Sequence, residues 1–148
     1  MYKRQPSSDV GKVAREIGTK HVLVEEMIAD GIAELLIGIA QDPAHGYALT
    51  LGAGGVWTEL LRDTVTLLLP VTEAQIEAAL GTLRIAPLLQ GYRGQPLAKL
   101  SAITQTVLAL QTYVLDGPDA VVEIEINPLI CTPTRAIAAD ALIRKDCP

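Results

Sequence analysis

Val121-Val122-Glu123-Ile124-Glu125-Ile126-Asn127-Pro128-Leu129-Ile130 is the stretch whose reading decides the fold. With a period of two it places Val122, Ile124 and Ile126 on one face of a strand and Glu123, Glu125 and Asn127 on the other. One face is suited to a core and the other is a row of oxygens, spaced by roughly 7 Å along the strand. Pro128 takes one donor out of the ladder and holds Asn127 extended.

Cys131-Thr132-Pro133-Thr134 reads as a turn, and Arg135 to Ile143 alternates again, so the whole is expected to be a hairpin. With Pro133 and Thr134 as the loop residues, Asn127 falls directly opposite Asp140, and Ile124 and Ile126 share a face with Ile137 and Ile143. Glu123, Glu125, Asn127 and Asp140 then gather on one side. Carboxylates so placed repel one another unless a cation or a bound donor lies among them, and hard oxygen ligands suit a Mg²⁺ that also holds a nucleotide phosphate. From the pattern alone, a solvated strand face explains the row equally well.

Several segments together resemble a known family: Glu123-Ile124-Glu125-Ile126-Asn127-Pro128-Leu129, Val22-Leu23-Val24-Glu25-Glu26-Met27, Gly52-Ala53-Gly54-Gly55-Val56, Leu88 to Gly94, and Ala139-Asp140-Ala141. In this order the run resembles the ATP-grasp domain of NDP-forming acyl-CoA synthetases, with the succinyl-CoA synthetase β subunit as a relative. The resemblance covers roughly residues 20 to 143. It implies an α+β fold, an antiparallel or mixed sheet with helices packed on one face, as the second subdomain of an ATP-grasp fold. Residues 20–148 would form that subdomain and residues 1–19 a tail with a short helix.

The resemblance also implies roles. Asn127 and Asp140 would hold Mg²⁺, and Glu125 would orient the metal or the phosphoryl acceptor. Glu25 and the backbone of Ile28 would lie along the adenine of ATP or ADP, Glu34 would accept from ribose hydroxyls, and Gly54 and Gly55 would lie near the phosphates with Arg62 as the closest cation. Such a chain holds one jaw of a clamp. Its expected partners are the first ATP-grasp subdomain, which has no counterpart before His21, and a CoA-binding or phosphohistidine domain or subunit. A homo-oligomer is a further expectation. The alternative function is a non-catalytic nucleotide-sensing or assembly module, as in a protein acetyltransferase fusion, and a third is a folded domain that only associates.

Composition sets the outer limits. Of the 148 residues, 49% are hydrophobic and 20% charged, which favours a packed globule over disorder. A net charge of -5 with 3% aromatic residues offers neither a basic patch nor a stacking platform, so nucleic acid is not an expected partner. Glu34 interrupts the best apolar run, Ile32 to Ala40, and Met1 to Pro6 lack the apolar core of a signal peptide; no membrane span and a cytoplasmic protein are expected. Cys131 and Cys147 are the two cysteines, which gives no disulfide framework and no zinc spacing.

The remaining chain supplies further expectations. Asp9 caps a short helix that runs through Ile17 and ends at Gly18. Asp30-Gly31 between His21–Ala29 and Ile32–Ala40 predicts a hairpin in which Met27 opposes Glu34 and Glu25 lies diagonal to it. Tyr47 to Leu51 and Thr64 to Leu69 are strands, and Gly52-Ala53-Gly54-Gly55 is a turn that lacks the Gly-Lys-Ser/Thr of a P-loop. Glu59 and Asp63 flank Arg62. Thr72 with Gln75 forms a capping box for a helix from Glu73 to Leu83. Apolar residues at Leu97, Leu100, Ile103, Val107, Leu110 and Val114 predict a core-facing helix from Leu97 to Leu115, stopped by Asp116-Gly117-Pro118. Arg93, between Gly91 and Gly94, is expected to fix its loop through carbonyls or a carboxylate. His21 and His45 read as surface residues.

Overall fold

The computed structural model describes residues 10–23, 25–56, 58, 61–117 and 121–146. The expected roles of Asp9, Val24, Glu59, Pro118 and Cys147 therefore lie outside the described residues. Helix α1 (Val10–Glu16) is followed by strands β1 (Ala33–Asp42), β2 (Gly46–Ala53) and β3 (Thr64–Leu68). Helices α2 (Glu73–Thr82), α3 (Ala86–Leu89) and α4 (Leu100–Asp116) come next, and strands β4 (Val121–Cys131), β5 (Ala136–Ala138) and β6 (Ala141–Lys145) complete the order.

The six strands form one sheet in the order β3-β2-β1-β4-β5, with β6 also on β4, and every pair is antiparallel. Alternation in β1 buries Ala33, Leu35, Ile37 and Ile39 and turns Glu34, Leu36 and Gly38 the other way. Leu49, Leu51 and Ala53 of β2 and Ile124, Ile126, Leu129 and Cys131 of β4 join the same core. Ile76, Ala79 and Leu80 of α2 and Ile103, Val107 and Val114 of α4 close over it. The helices thus cover one face of the sheet, the α+β arrangement expected from the sequence, and the opposite face carries the oxygens.

The β4 hairpin has the expected register. Leu129 pairs with Ala138, Ile126 with Ala141 and Ile124 with Ile143, while the Asn127 N–H donates to the Asp140 carbonyl at 3.2 Å. Two details of the face assignment need correction. Against β1 the register shifts, four residues of β4 from Ile126 to Leu129 facing three from Leu35 to Ile37, so the alternation changes phase at Asn127-Pro128. Ile137, opposite Ile130, consequently lies off the face of Ile124 and Ile143. A second shift between Val121 and Glu123 gives the core position to Val121 and leaves Val122 half-buried. Cys131 closes strand β4 and is buried, so the turn begins at Thr132.

The hairpin expected from Asp30-Gly31 does not form. Both edges of β1 are taken, by β2 and β4, and no strand precedes Ala33 among the described residues. A two-residue type I′ turn requires positive φ at both central positions, which neither Asp30 nor Gly31 adopts. The Ile32 N–H instead continues the β4 ladder by donating to the Cys131 carbonyl at 2.8 Å. Met27 therefore does not oppose Glu34, and Glu25 is not its diagonal neighbour.

The start of α2 and the end of α4 fall where the sequence places them, and the start of α4 does not. The Thr72 side chain accepts from the Gln75 N–H and the Gln75 side chain accepts from the Thr72 N–H, the reciprocal cap read from the sequence. Helix α4 starts at Leu100, since the Ala98 N–H donates to the Leu89 carbonyl and the Lys99 N–H to the Thr132 carbonyl, and Leu97 is left 67% exposed. Leu88 to Gly94 contains the end of α3 and a 3-10 turn in which the Arg93 guanidinium lies 5.2 Å from the centre of the Tyr92 ring, in place of the expected carbonyl or carboxylate partners. No helix among the described residues is long and apolar enough to cross a membrane.

Candidate functional site

The site lies on the uncovered face, at the end of the sheet where β1 begins and β2 ends. The Gly54 N–H donates to the Glu34 carbonyl at 2.8 Å, and a Cβ on Gly54 would come within 2.5 Å of the Leu35 backbone, so only glycine brings the turn this close to β1. Gly55 follows in a left-handed conformation, φ +62°, and its N–H donates at 2.8 Å to the side-chain oxygen of Asn127. A Cβ on Gly55 would sit 1.8 Å from Glu34 Oε2, so the Glu34 carboxylate rests on the bare α-carbon. Three residues far apart in sequence, Glu34, Gly55 and Asn127, thus meet at one point.

Thr58 secures the far side of the turn, a role the sequence reading missed. Its hydroxyl lies 3.0 Å from the Gly55 carbonyl and 3.1 Å from the Ala53 carbonyl, and its own carbonyl accepts the Arg62 N–H at 3.4 Å. A threonine three residues beyond a glycine turn is the available signal. Arg62 is exposed and has φ +45°, one of two left-handed non-glycine residues among those described, the other being Arg93. Asp63 next to it is structural: its carboxylate accepts the Ile85 N–H at 3.1 Å and its carbonyl accepts the Ala53 N–H at 3.0 Å.

Across β1, the oxygens of the hairpin continue the site. Glu125 pairs with Gly38 on one side and Leu142 on the other, so its carboxylate stands over a glycine. Asp140 is exposed beside Asn127. Among the described residues neither carboxylate has an ion-pair or hydrogen-bond partner, whereas Glu123 is answered by Arg144 at 3.2 Å. The expected crowd of carboxylates is therefore relieved at Glu123 only. No group of three or more His, Cys, Asp or Glu among the described residues could hold a metal ion. Any cation here would rely on Asp140, on the second lone pair of the Asn127 oxygen and on oxygens from a ligand.

Glu25 and Ile28 lie outside the sheet, in a segment (20–31) whose described residues carry no helix or strand; Glu25 is exposed and Ile28 half-buried. His21 is exposed, and His45 is exposed with its Nδ1 2.9 Å from Asp42 Oδ1, so neither histidine enters the site.

Comparison with known proteins identifies the architecture. A family model described as an ATP-grasp domain matches residues 7–144. The chain belongs to the ATP-grasp family. It is 32% identical over 108 residues to the β subunit of an ADP-forming acetate–CoA ligase (II) from Pyrococcus furiosus, a match covering 73% of this chain and 45% of that subunit. It is 33% identical over 108 residues to the ADP-forming acetate–CoA ligase I of Archaeoglobus fulgidus, covering 73% of this chain and 16% of that protein. The ATP-grasp fold superposes with a TM-score of 0.81 and 31% identity on acetyl-coenzyme A synthetase 1 of Ca. Korarchaeum cryptofilum, over 93% of this chain and 63% of that one. That structure was solved with coenzyme A and Mg-AMPPCP and with a phosphohistidine segment pointing towards its nucleotide site. The ATP-grasp chain described here spans less than half the length of the first of these relatives and about a sixth of the second.

Proposed function

We propose that this chain supplies the ATP/ADP- and Mg²⁺-binding part of an NDP-forming acyl-CoA synthetase, which interconverts acyl-CoA, ADP and phosphate with a carboxylic acid, CoA and ATP. The observation that carries the reading is the meeting of Glu34, Gly55 and Asn127 on the uncovered sheet face, with Asp140 paired to Asn127. It is supported by the kinship with ADP-forming acetate–CoA ligases.

The donor set fits Mg²⁺. Asn127 of β4 and Asp140, in the bend between β5 and β6, would hold it, and the remaining positions would fall to phosphate oxygens and water, since Mg²⁺ keeps near-octahedral geometry with few protein ligands. When bound, the ion neutralises charge on the transferring phosphoryl group. The Gly55 turn keeps a bulky side chain away from the phosphates, Glu34 accepts from the ribose hydroxyls, and Glu25 and the Ile28 backbone meet the adenine. Glu125 orients the phosphoryl acceptor, and Arg62 supplies a cation beside the glycine turn. Closure of the site falls to the first ATP-grasp subdomain and to a CoA-binding or phosphohistidine domain or subunit.

Calorimetric titration with ADP, with and without Mg²⁺, on wild type and Asp140→Ala tests this. Binding that needs Mg²⁺ and is lost in the variant is expected. Absence of binding, or binding indifferent to both Mg²⁺ and the substitution, overturns the assignment.

A further inference from the structure

Residues 20–31 carry two of the proposed nucleotide contacts, Glu25 and Ile28, and the described residues of this segment have no helix or strand to hold them. Val22, Leu23 and Met27 of this segment are 42%, 83% and 54% exposed, so burial does not fix it either. Its end is secured by the Ile32 N–H on the Cys131 carbonyl and by Gly31, where a Cβ would lie 3.1 Å from Ile130 Cγ2. Among the described residues its middle is secured by a single pair. Arg135 spreads both terminal guanidinium nitrogens over the Glu26 carboxylate, Nη1 to Oε2 at 3.3 Å and Nη2 to Oε1, across 109 residues of sequence.

Arg135 is itself held firmly. The hydroxyl of Thr132, a fully buried residue, accepts the Arg135 N–H at 3.1 Å, and the Arg135 carbonyl accepts the Thr132 N–H at 2.9 Å. Asp30 adds a second negative charge near the same guanidinium. A planar fork on a pinned turn suits a carboxylate far better than a flexible ammonium would, because both of its bonds have a fixed direction. Glu25 adjoins Glu26 and Ile28 is two residues on, so the pair fixes the backbone that bears both.

The geometry points to Arg135 as a positioning residue: its bidentate pair with Glu26 latches residues 25–28 where Glu25 and the Ile28 backbone can meet an adenine nucleotide. This rests on the nucleotide-binding reading above. The latch is exposed, so its effect is moderate and declines with salt.

The test compares wild type, Arg135→Gln, and the charge swap Glu26→Arg with Arg135→Glu. Heteronuclear NOEs of residues 20–31 report the order of the segment, and calorimetry with ADP and Mg²⁺ reports affinity. In Arg135→Gln the NOEs should fall and affinity should weaken by about two- to fivefold, with the swap restoring both. Unchanged NOEs, or an ADP affinity equal to wild type in Arg135→Gln, overturn the latch alone. Wild type that binds no ADP overturns the nucleotide reading, and the inference with it.

Discussion

The side-chain oxygen of Asn127 accepts the N–H of Gly55 at 2.8 Å, reaching across β1 to the end of β2. This bond separates two functions of one residue. Asn127→Ala leaves a part-buried N–H without a partner, which costs about 1–3 kcal/mol, and also removes the proposed metal oxygen. Asn127→Asp keeps an acceptor for Gly55 and an oxygen for Mg²⁺. Urea denaturation should show the loss in Asn127→Ala and near-wild-type stability in Asn127→Asp, with Mg²⁺-dependent ADP binding retained only in the second. Equal midpoints for wild type and Asn127→Ala would contradict the structural part.

Gly55→Ala puts a Cβ 1.8 Å from Glu34 Oε2 at a residue with φ +62°. The first problem is soluble, because a carboxylate at the end of a side chain can swing away; the second is not, and costs roughly 1 kcal/mol. Gly55→Ala should therefore displace Glu34 and weaken ADP binding. Glu34→Ala in the same background should recover part of the stability but none of the affinity. A double-mutant cycle on unfolding free energy reads the coupling between the two sites, and additivity would show that they do not touch.

Local signals in the sequence carried well where the partner was close. The β4 hairpin register followed from its turn, and the Thr72–Gln75 cap from four consecutive residues. Asp30-Gly31 failed because a turn signal states only what two residues can do, while β4, about ninety residues later, competes for the same edge of β1 and wins with a long apolar ladder. The phase change at Asn127-Pro128 was likewise invisible to a period-two reading, since it is a property of pairing with β1. Of the candidate site, Glu34, Gly54, Gly55, Glu125, Asn127 and Asp140 were legible through the family pattern and are gathered by the fold. Thr58 and Arg135 were not, as one acts through carbonyls and the other through a carboxylate far away in sequence.

Burial pushes the Cys131 thiol up to about 12 from an ordinary value of 9.0. The native state thus keeps the proton where the unfolded chain would lose it. Stability from this group is fully present below pH 9 and is lost as pH rises towards 12, at about 1.4 kcal/mol per pH unit. The urea midpoint of wild type should fall more steeply than that of Cys131→Ala above pH 9. Alkylation of the Cys131 peptide at neutral pH, followed by mass spectrometry, should require denaturant; rapid labelling of the folded protein would contradict the buried thiol.

The hydrogen bond and charge of Arg135 hold the Glu26 carboxyl below its ordinary value of 4.5. The sign follows from the charged form being the one favoured when the pair is made: the interaction is complete above the ordinary Glu value and is lost as pH falls through the lowered one. Asp30 adds a second negative charge near Arg135, so a variant that removes it is a useful control. Carboxyl-carbon NMR should place the Glu26 midpoint below that of free glutamate, and Arg135→Gln should return it. High salt should move it the same way, because both side chains are about half exposed or more. A Glu26 midpoint indifferent to Arg135 and to salt would mean that the pair does not persist in solution, and residues 25–28 would then need another anchor.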